Sequence, residues 1–215
     1  MSDRINITFM RHGRSRADDE NVIEGRYDSP LTDIGREQVH ARAQDLKDRE
    51  LHFDAITASP LKRAAETAQI IGTALDINVQ FDEDWMEKDN GPVAGMAPDE
   101  ARKKYPLPNF HNPFDPHVVS TNAGETMWAF QSRAARALEK IIRQGTGHYL
   151  VVAHGGILSA TMRCITGAQP PVTGQGVDFS FGDTGYLCTS YEPNKHRWVI
   201  HELVHGSEIT IENKP

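Results

Sequence analysis

The sequence predicts an α/β fold: a three-layer α/β/α sandwich around a mostly parallel central sheet. Three observations point there. Strand-length segments at residues 5–9, 54–58, 78–81 and 148–153 alternate with segments of helical period, the rhythm of strand–helix–strand units. The run His148-Tyr149-Leu150-Val151-Val152-Ala153 is nearly all apolar, as in a strand covered on both faces. Two strands, the first and the one at 148–153, end alike in histidine followed by glycine, at Arg11-His12-Gly13 and His154-Gly155-Gly156.

The first strand follows from Ile5, Ile7 and Phe9, which alternate with polar residues. Gly13 then permits a sharp turn and the close approach of a ligand. Residues 14–29 are polar and read as a loop. Ser29-Pro30-Leu31-Thr32 is a turn, with Thr32 as N-cap of a helix that buries Val39, Ala43 and Leu46. After the strand at 54–58, Ser59 and Pro60 read as N-cap and first helical residue. Leu61, Ala64, Ala68, Ile71 and Leu75 give that helix one apolar face, and Arg63 falls in its first turn, beside the free N–H groups of a helix N-terminus.

From residue 83 to 122 six prolines interrupt the chain (Pro92, Pro98, Pro106, Pro108, Pro113 and Pro116), with one short helix near 99–104. The sequence therefore predicts a single domain over residues 1–215 with an inserted lid at about 83–122; a loop of this length is usually functional. A helix over 125–143 follows, facing inward with Met127, Phe130, Ala134, Leu138 and Ile141; another follows His154 through Leu158 and Met162. Residues 185–191 and 197–203 close the chain as a hairpin around Pro193-Asn194. No internal repeat or low-complexity stretch is evident.

Composition narrows the function. At 215 residues the chain buries about 70% of its unfolded surface and needs neither disulfide nor metal for stability. Cys164 and Cys188 form no framework pattern and are expected to be reduced. No apolar segment has the length to span a bilayer, and the N-terminus lacks a secretory apolar core, so a cytoplasmic protein without membrane partners is expected. The formal net charge of −7 argues against general nucleic-acid binding and makes clustered arginines informative.

Three strand-to-helix corners bring Arg11, His12, Arg63 and His154 to the carboxyl edge of the sheet, where open α/β sheets bind ligands. Two guanidinium groups suit phosphate oxygens. A neutral imidazole, its other nitrogen held by an acceptor such as a backbone carbonyl, can attack phosphorus. The second histidine can donate to the phosphoryl oxygens as charge gathers there. An acid from the lid, kept protonated by burial or by the phosphate's charge, would serve the leaving alkoxide. No metal or other cofactor is needed for this chemistry.

Arg11-His12-Gly13, the run from Ser59-Pro60-Leu61-Lys62-Arg63 to Glu66-Thr67-Ala68, and His154-Gly155-Gly156 together resemble the histidine phosphatase superfamily, most closely its phosphoglycerate mutase-like branch. Ser29-Pro30-Leu31-Thr32, Ile34-Gly35-Arg36 and Gly124-Glu125-Thr126 add to the likeness, which runs in order from about residue 4 to 165. The resemblance implies His12 as the phosphorylated nucleophile and Arg11, Arg63 and His154 as its phosphate pocket. It implies a glutamate proton donor in a Glu-x-x-x-Gly-x-x-x-Gly segment, matched by Glu87, Gly91 and Gly95, with Glu83 and Asp84 as nearby rivals. The chain departs from the family pattern at Arg14, Ser15, Asp18, Val93 and Ala94.

The leading expectation is thus a metal-independent phosphomonoesterase acting on a phosphorylated small molecule, as a monomer or homodimer. The alternatives are a phosphoglycerate mutase-type phosphoryl transfer, for which Arg102-Lys103-Lys104 would be the nearest substrate grip, and a non-catalytic phosphate-binding domain. His201-Glu202-Leu203-Val204-His205 matches a zinc-protease string, but Trp198, Val199 and Ile200 predict a strand, where that motif does not function. His40, His52 and His117 are expected at the surface, and His111 sits in the lid.

Overall fold

The computed structural model of the chain describes residues 4–106, 124–171 and 176–206. Among these, six strands form one sheet: β1 Ile5–Arg11, β2 Ala55–Ala58, β3 Val79–Phe81, β4 Gly147–Ala153, β5 Tyr186–Glu192 and β6 Arg197–Val204. Their order is β3-β2-β4-β1-β5-β6. β3, β2, β4 and β1 run parallel, while β5 and β6 add an antiparallel hairpin beside β1. The helices are α1 Arg16–Glu20, α2 Asp33–Asp48, α3 Lys62–Leu75, α4 Pro98–Lys104, α5 Met127–Ile142 and α6 Gly155–Thr166.

Strand alternation divides the core in two. Ile5, Ile7 and Phe9 of β1 and Tyr149, Val151 and Ala153 of β4 pack against Phe130, Leu138 and Ile141 of α5 and Ile157 and Met162 of α6. Met10, Leu150, Val152 and Ile56 point the other way, onto Val39, Ala43 and Leu46 of α2 and Ala68 and Ile71 of α3. The period of two in each strand therefore feeds both faces, and the result is the expected three-layer sandwich.

Local capping explains where the helices begin. Thr32 accepts the Gly35 N–H at 2.9 Å, and Thr126 accepts the Ala129 N–H at 2.9 Å. The start of α3 differs from expectation. Leu61, not Ser59, is its N-cap, and the helix begins at Lys62. The Lys62 N–H is satisfied from a distance, by Asp28 Oδ1 at 2.7 Å. The polar stretch after β1 is also not all loop: α1 forms there, closed by a reciprocal capping box between Ser15 and Asp18.

Gly13 serves packing more than turning. Its φ is not in the left-handed region, and a Cβ there would lie 2.7 Å from the Gly35 carbonyl oxygen and 2.8 Å from Val39 Cγ2. The glycine lets α2 press against the end of β1. Arg36 and Glu66, from two of the motifs quoted above, join α2 to α3 through a 2.6 Å bond.

Within the expected lid, the described part carries short 3₁₀ turns at Glu83–Trp85 and Gly91–Val93, followed by α4. Trp85 is fully buried against Phe9, with ring centroids 6.1 Å apart. The rest of the lid, including His111 and His117, lies outside the described residues. The string at 201–205 lies largely on β6, as the β-branched residues before it predict; His201 bonds Ser190, and Glu202 pairs with Arg49. No described helix is long and apolar enough to cross a membrane.

Candidate active site

Register places the two histidines. Arg11 pairs with Ala153 across β1 and β4, and the His12 N–H donates to the Ala153 carbonyl at 3.0 Å. His12 and His154 therefore leave adjacent strands at the same level. Their rings meet edge to face, 5.0 Å between centroids at 62°. Each is only 1% exposed. On the far side of β4, the Ser59 N–H donates to the Val152 carbonyl, and Ser59 Oγ lies 2.8 Å from His154 Nε2. Ser59 is thus held at the strand end as a partner of His154, which is why it does not cap α3.

The tautomer of His12 follows from its neighbours. Nδ1 lies 2.7 Å from the Gly13 carbonyl, which can only accept, so Nδ1 carries the hydrogen. Nε2 then accepts from Arg63 Nε at 3.1 Å, presenting its lone pair toward a guanidinium. Burial, with the charges of Arg63 and Arg11 behind it, holds the His12 pKa well below the ordinary histidine value. His154 is lowered likewise, by burial first and then by Arg63, His12 and Arg11.

Arg63 is fully buried and clamped by its surroundings. Its two terminal nitrogens donate to the carbonyls of Tyr27 and Gly25 at 2.9 and 2.8 Å, which leaves Nε facing His12. Thr67, one turn along α3, accepts the Gly13 N–H at 3.2 Å and ties the helix to the end of β1. Arg11 donates to the Phe181 carbonyl at 2.9 Å and lies 3.5 Å from Asp183 and 3.7 Å from Asp18. Asp18 has two tasks, capping α1 and facing Arg11. Arg14 turns away to a paired contact with Asp19 at 2.8 and 2.6 Å.

Glu87 reaches the same edge. Its carboxylate accepts the Gly156 N–H at 2.8 Å, at the N-terminus of α6, and its own neighbour's N–H at 2.7 Å. Its rivals stand elsewhere. Glu83 is exposed, and Asp84 is bound by Arg136 and Lys140, which hold its carboxyl down at about 2. The structure thus gathers Arg11, His12, Arg63, His154 and Glu87 around one edge of the sheet.

Two residues that sequence reasoning passed over complete the site. Arg133 of α5, 6% exposed, donates to the carbonyls of Asp84, Met86 and Glu87 and pairs with Glu125 at 2.6 Å. It pins the backbone that carries Glu87. Glu24 lies 3.1 Å from Arg63 Nε and 3.8 Å from His12 Nε2, and it accepts from Ser15 Oγ at 2.5 Å. Burial raises its pKa despite the pull of Arg63. Arg133 carried a faint signal, an arginine on an otherwise apolar helix face; Glu24, in a polar loop, carried none.

A cleft of about 340 Å³ opens beside Glu24 and Glu87. Met127 and Phe130 form an apolar wall, and Lys88 and Arg163 bring positive charge. Arg163 is already paired with Asp178 at 2.8 Å, whereas Lys88 Nζ donates to the Asn90 side-chain oxygen at 3.3 Å with Glu125, Glu87 and Asp89 acting on it from further off. Arg102, Lys103 and Lys104 lie exposed on α4, away from the cleft lining.

Comparison with known proteins identifies the family. Residues 7–203 match the family described as Histidine phosphatase superfamily (branch 1). The chain is 27% identical to a Bacillus subtilis protein named Uncharacterized phosphatase PhoE, over 88% of this chain and 95% of that one. It is 32% identical to a 2,3-bisphosphoglycerate-dependent phosphoglycerate mutase from Mesorhizobium japonicum, over 75% of this chain and 81% of that one. In fold it is similar to a mycobacterial glucosyl-3-phosphoglycerate phosphatase, with a TM-score of 0.76, 19% identity, and coverage of 95% of this chain and all of that one. The matched stretch opens within β1 and closes within β6, and it encloses every corner that contributes a charged or titratable group to the site. The chain belongs to the histidine phosphatase superfamily.

Proposed function

We propose that this chain is a metal-independent phosphomonoesterase that works through a phosphohistidine on His12. The observation that carries the reading is the fixed tautomer of His12: Nδ1–H is held by the Gly13 carbonyl, and the Nε2 lone pair faces the guanidinium-lined pocket. An uncharged imidazole in that orientation is a nucleophile waiting for phosphorus.

In the proposed reaction Nε2 attacks the phosphoryl group and the bond from phosphorus to the alcohol oxygen breaks. Arg11, Arg63 and His154 bind the phosphoryl oxygens and take up the charge that develops on them. Glu87 gives its proton to the departing alkoxide. Water then attacks the phosphohistidine, Glu87 takes the water's proton, and inorganic phosphate leaves with His12 restored.

The cleft beside Glu87 receives the alcohol part of a small phosphorylated metabolite. Among the described residues only Lys88 and Arg163 bring positive charge to its lining, and Arg163 is already paired with Asp178. That supports hydrolysis over the mutase reading, since returning a phosphoryl group to a substrate that also carries a second anionic group calls for paired cations there. Residues 83–122 are read as a lid within a single domain, since Glu87 and Lys88 come from that segment. The two free thiols, Cys164 and Cys188, support a reducing, cytoplasmic setting.

Rapid acid-free quench during turnover tests the reading. Acid-labile phosphate should accumulate on the wild-type chain and be absent from His12→Ala, which should lose nearly all turnover. With a phosphoglycerate as substrate, release of free phosphate supports hydrolysis; isomerisation without release supports the mutase. Ligand binding with no trapped phosphate on His12 would leave only a phosphate-binding domain.

A further inference from the structure

We propose that Glu24 is a resident anion in the phosphoryl site, and that an incoming tetrahedral oxyanion binds together with one proton, which goes to Glu24. This rests on the reading of the site as a phosphoryl pocket.

Three observations place Glu24 there. It contacts both Arg63 Nε and the lone-pair nitrogen of His12, at 3.1 and 3.8 Å, which is where a phosphoryl oxygen would meet the same two groups. It lines the cleft, whereas His12 is almost wholly buried and does not, so Glu24 stands between the nucleophile and the opening. Its carboxylate is also anchored, by Ser15 Oγ at 2.5 Å and Ser29 Oγ at 3.4 Å, rather than trailing into solvent.

Charge balance supplies the rest. The cations facing Glu24 are Arg63 from α3 and Arg11 from the end of β1. Asp18 from α1 lies close, and Asp183 faces Arg11 from the other side. Glu87 and Lys88 line the same cleft. With Glu24 ionised, the two arginines are already matched by carboxylates. A dianion arriving beside them would meet a like charge at close range in a poorly solvated pocket. One proton on Glu24 removes that repulsion and turns the group into a donor toward the anion. The proton comes from solvent and returns there when the anion leaves.

Sulfate is the suitable probe, because it stays a dianion across the accessible pH range and brings no proton of its own. Titration calorimetry of the full chain should give a sulfate Kd that rises about tenfold per pH unit over the upper part of the range between about pH 5 and about pH 8. Repeating it in two buffers of different ionisation enthalpy should show one proton taken up per sulfate. Glu24→Gln should bind sulfate with a flat profile and take up none, and at the alkaline end it should bind more tightly than wild type. Should that variant not fold, Glu24→Ala and the wild-type proton count decide. Sulfate binding with a flat wild-type profile overturns the inference, since Glu24 would then step aside still ionised. A slope that survives in Glu24→Gln also overturns it and assigns the proton to His12, His154, Glu87 or Asp183. No sulfate binding to wild type at about pH 5 overturns the phosphoryl-site reading itself.

Discussion

The bare main chain of Gly156 receives the side-chain carboxylate of Glu87. The Gly156 N–H reaches Glu87 Oε2 at 2.8 Å, and a Cβ on Gly156 would stand 2.5 Å from Glu87 Oε1. The second glycine after His154 is therefore a vacancy kept for a carboxylate from the other side of the site. Gly156→Ala should displace Glu87 without touching His12. Turnover of an alkyl phosphate should fall by about 100-fold, the scale of an ångström's misplacement. An aryl phosphate, whose leaving group needs little protonation, should fall by less than about tenfold. Glu87→Gln should show the same contrast between substrates. Steady-state kcat on paired alkyl and aryl substrates checks both, and equal slowing counts against Glu87 as the acid.

Arg133 makes a prediction about coupling between stability and activity. It holds the carbonyls of Asp84, Met86 and Glu87 as well as the Glu125 carboxylate, and it is buried. Arg133→Leu strips a buried charge pair and orphans those acceptors, so the chain should lose roughly 3–5 kcal/mol in urea unfolding. At temperatures where the variant is still folded, the alkyl-to-aryl contrast should resemble that of Gly156→Ala, because the Glu87 backbone is no longer fixed. Intact kcat on alkyl phosphates in a folded variant would show that Arg133 serves the fold alone.

The buried histidines set an acid limit on stability. In the unfolded chain a histidine takes a proton near pH 6.5, whereas burial keeps folded His12 and His154 neutral to well below it. Below that pH the unfolded state binds more protons, so stability falls with acid from about pH 6.5 toward the depressed folded values. The slope approaches about 1.4 kcal/mol per pH unit for each histidine. Glu24 and Asp183, whose carboxyls burial raises, act with the opposite sign and offset part of the loss. His154→Gln should therefore shrink the stability difference between about pH 7.5 and about pH 5.5 by about 1 kcal/mol, read from urea midpoints. An unchanged difference would mean that His154 titrates normally in the folded chain.

Two departures from sequence expectation have different causes, one long-range and one local. Ser59 followed by Pro60 carries the local pattern of a helix start, yet Ser59 bonds His154 and α3 begins later, at Lys62, whose N–H is taken by Asp28. Local preference is worth about 1 kcal/mol at such a position, and two long-range hydrogen bonds outweigh it. The short α1 escaped notice because its five residues have no apolar period, and its capping box uses an aspartate where glutamate or glutamine is usual.

What the sequence by itself determined is the sheet, its covering helices and the four groups at the strand ends. Apolar period, a histidine at a strand end and an arginine in a first helical turn are local facts, and β1–β4 pairing turns them into a cluster. Tertiary structure alone decided which groups those four meet and what holds the acid in place: Glu24 against Arg63, Ser59 against His154, Gly156 beneath Glu87, and Arg133 around it. Each is a polar residue or a glycine whose meaning comes from a partner distant in the chain. A period cannot encode such a partner, and only burial gives the pairing its energy.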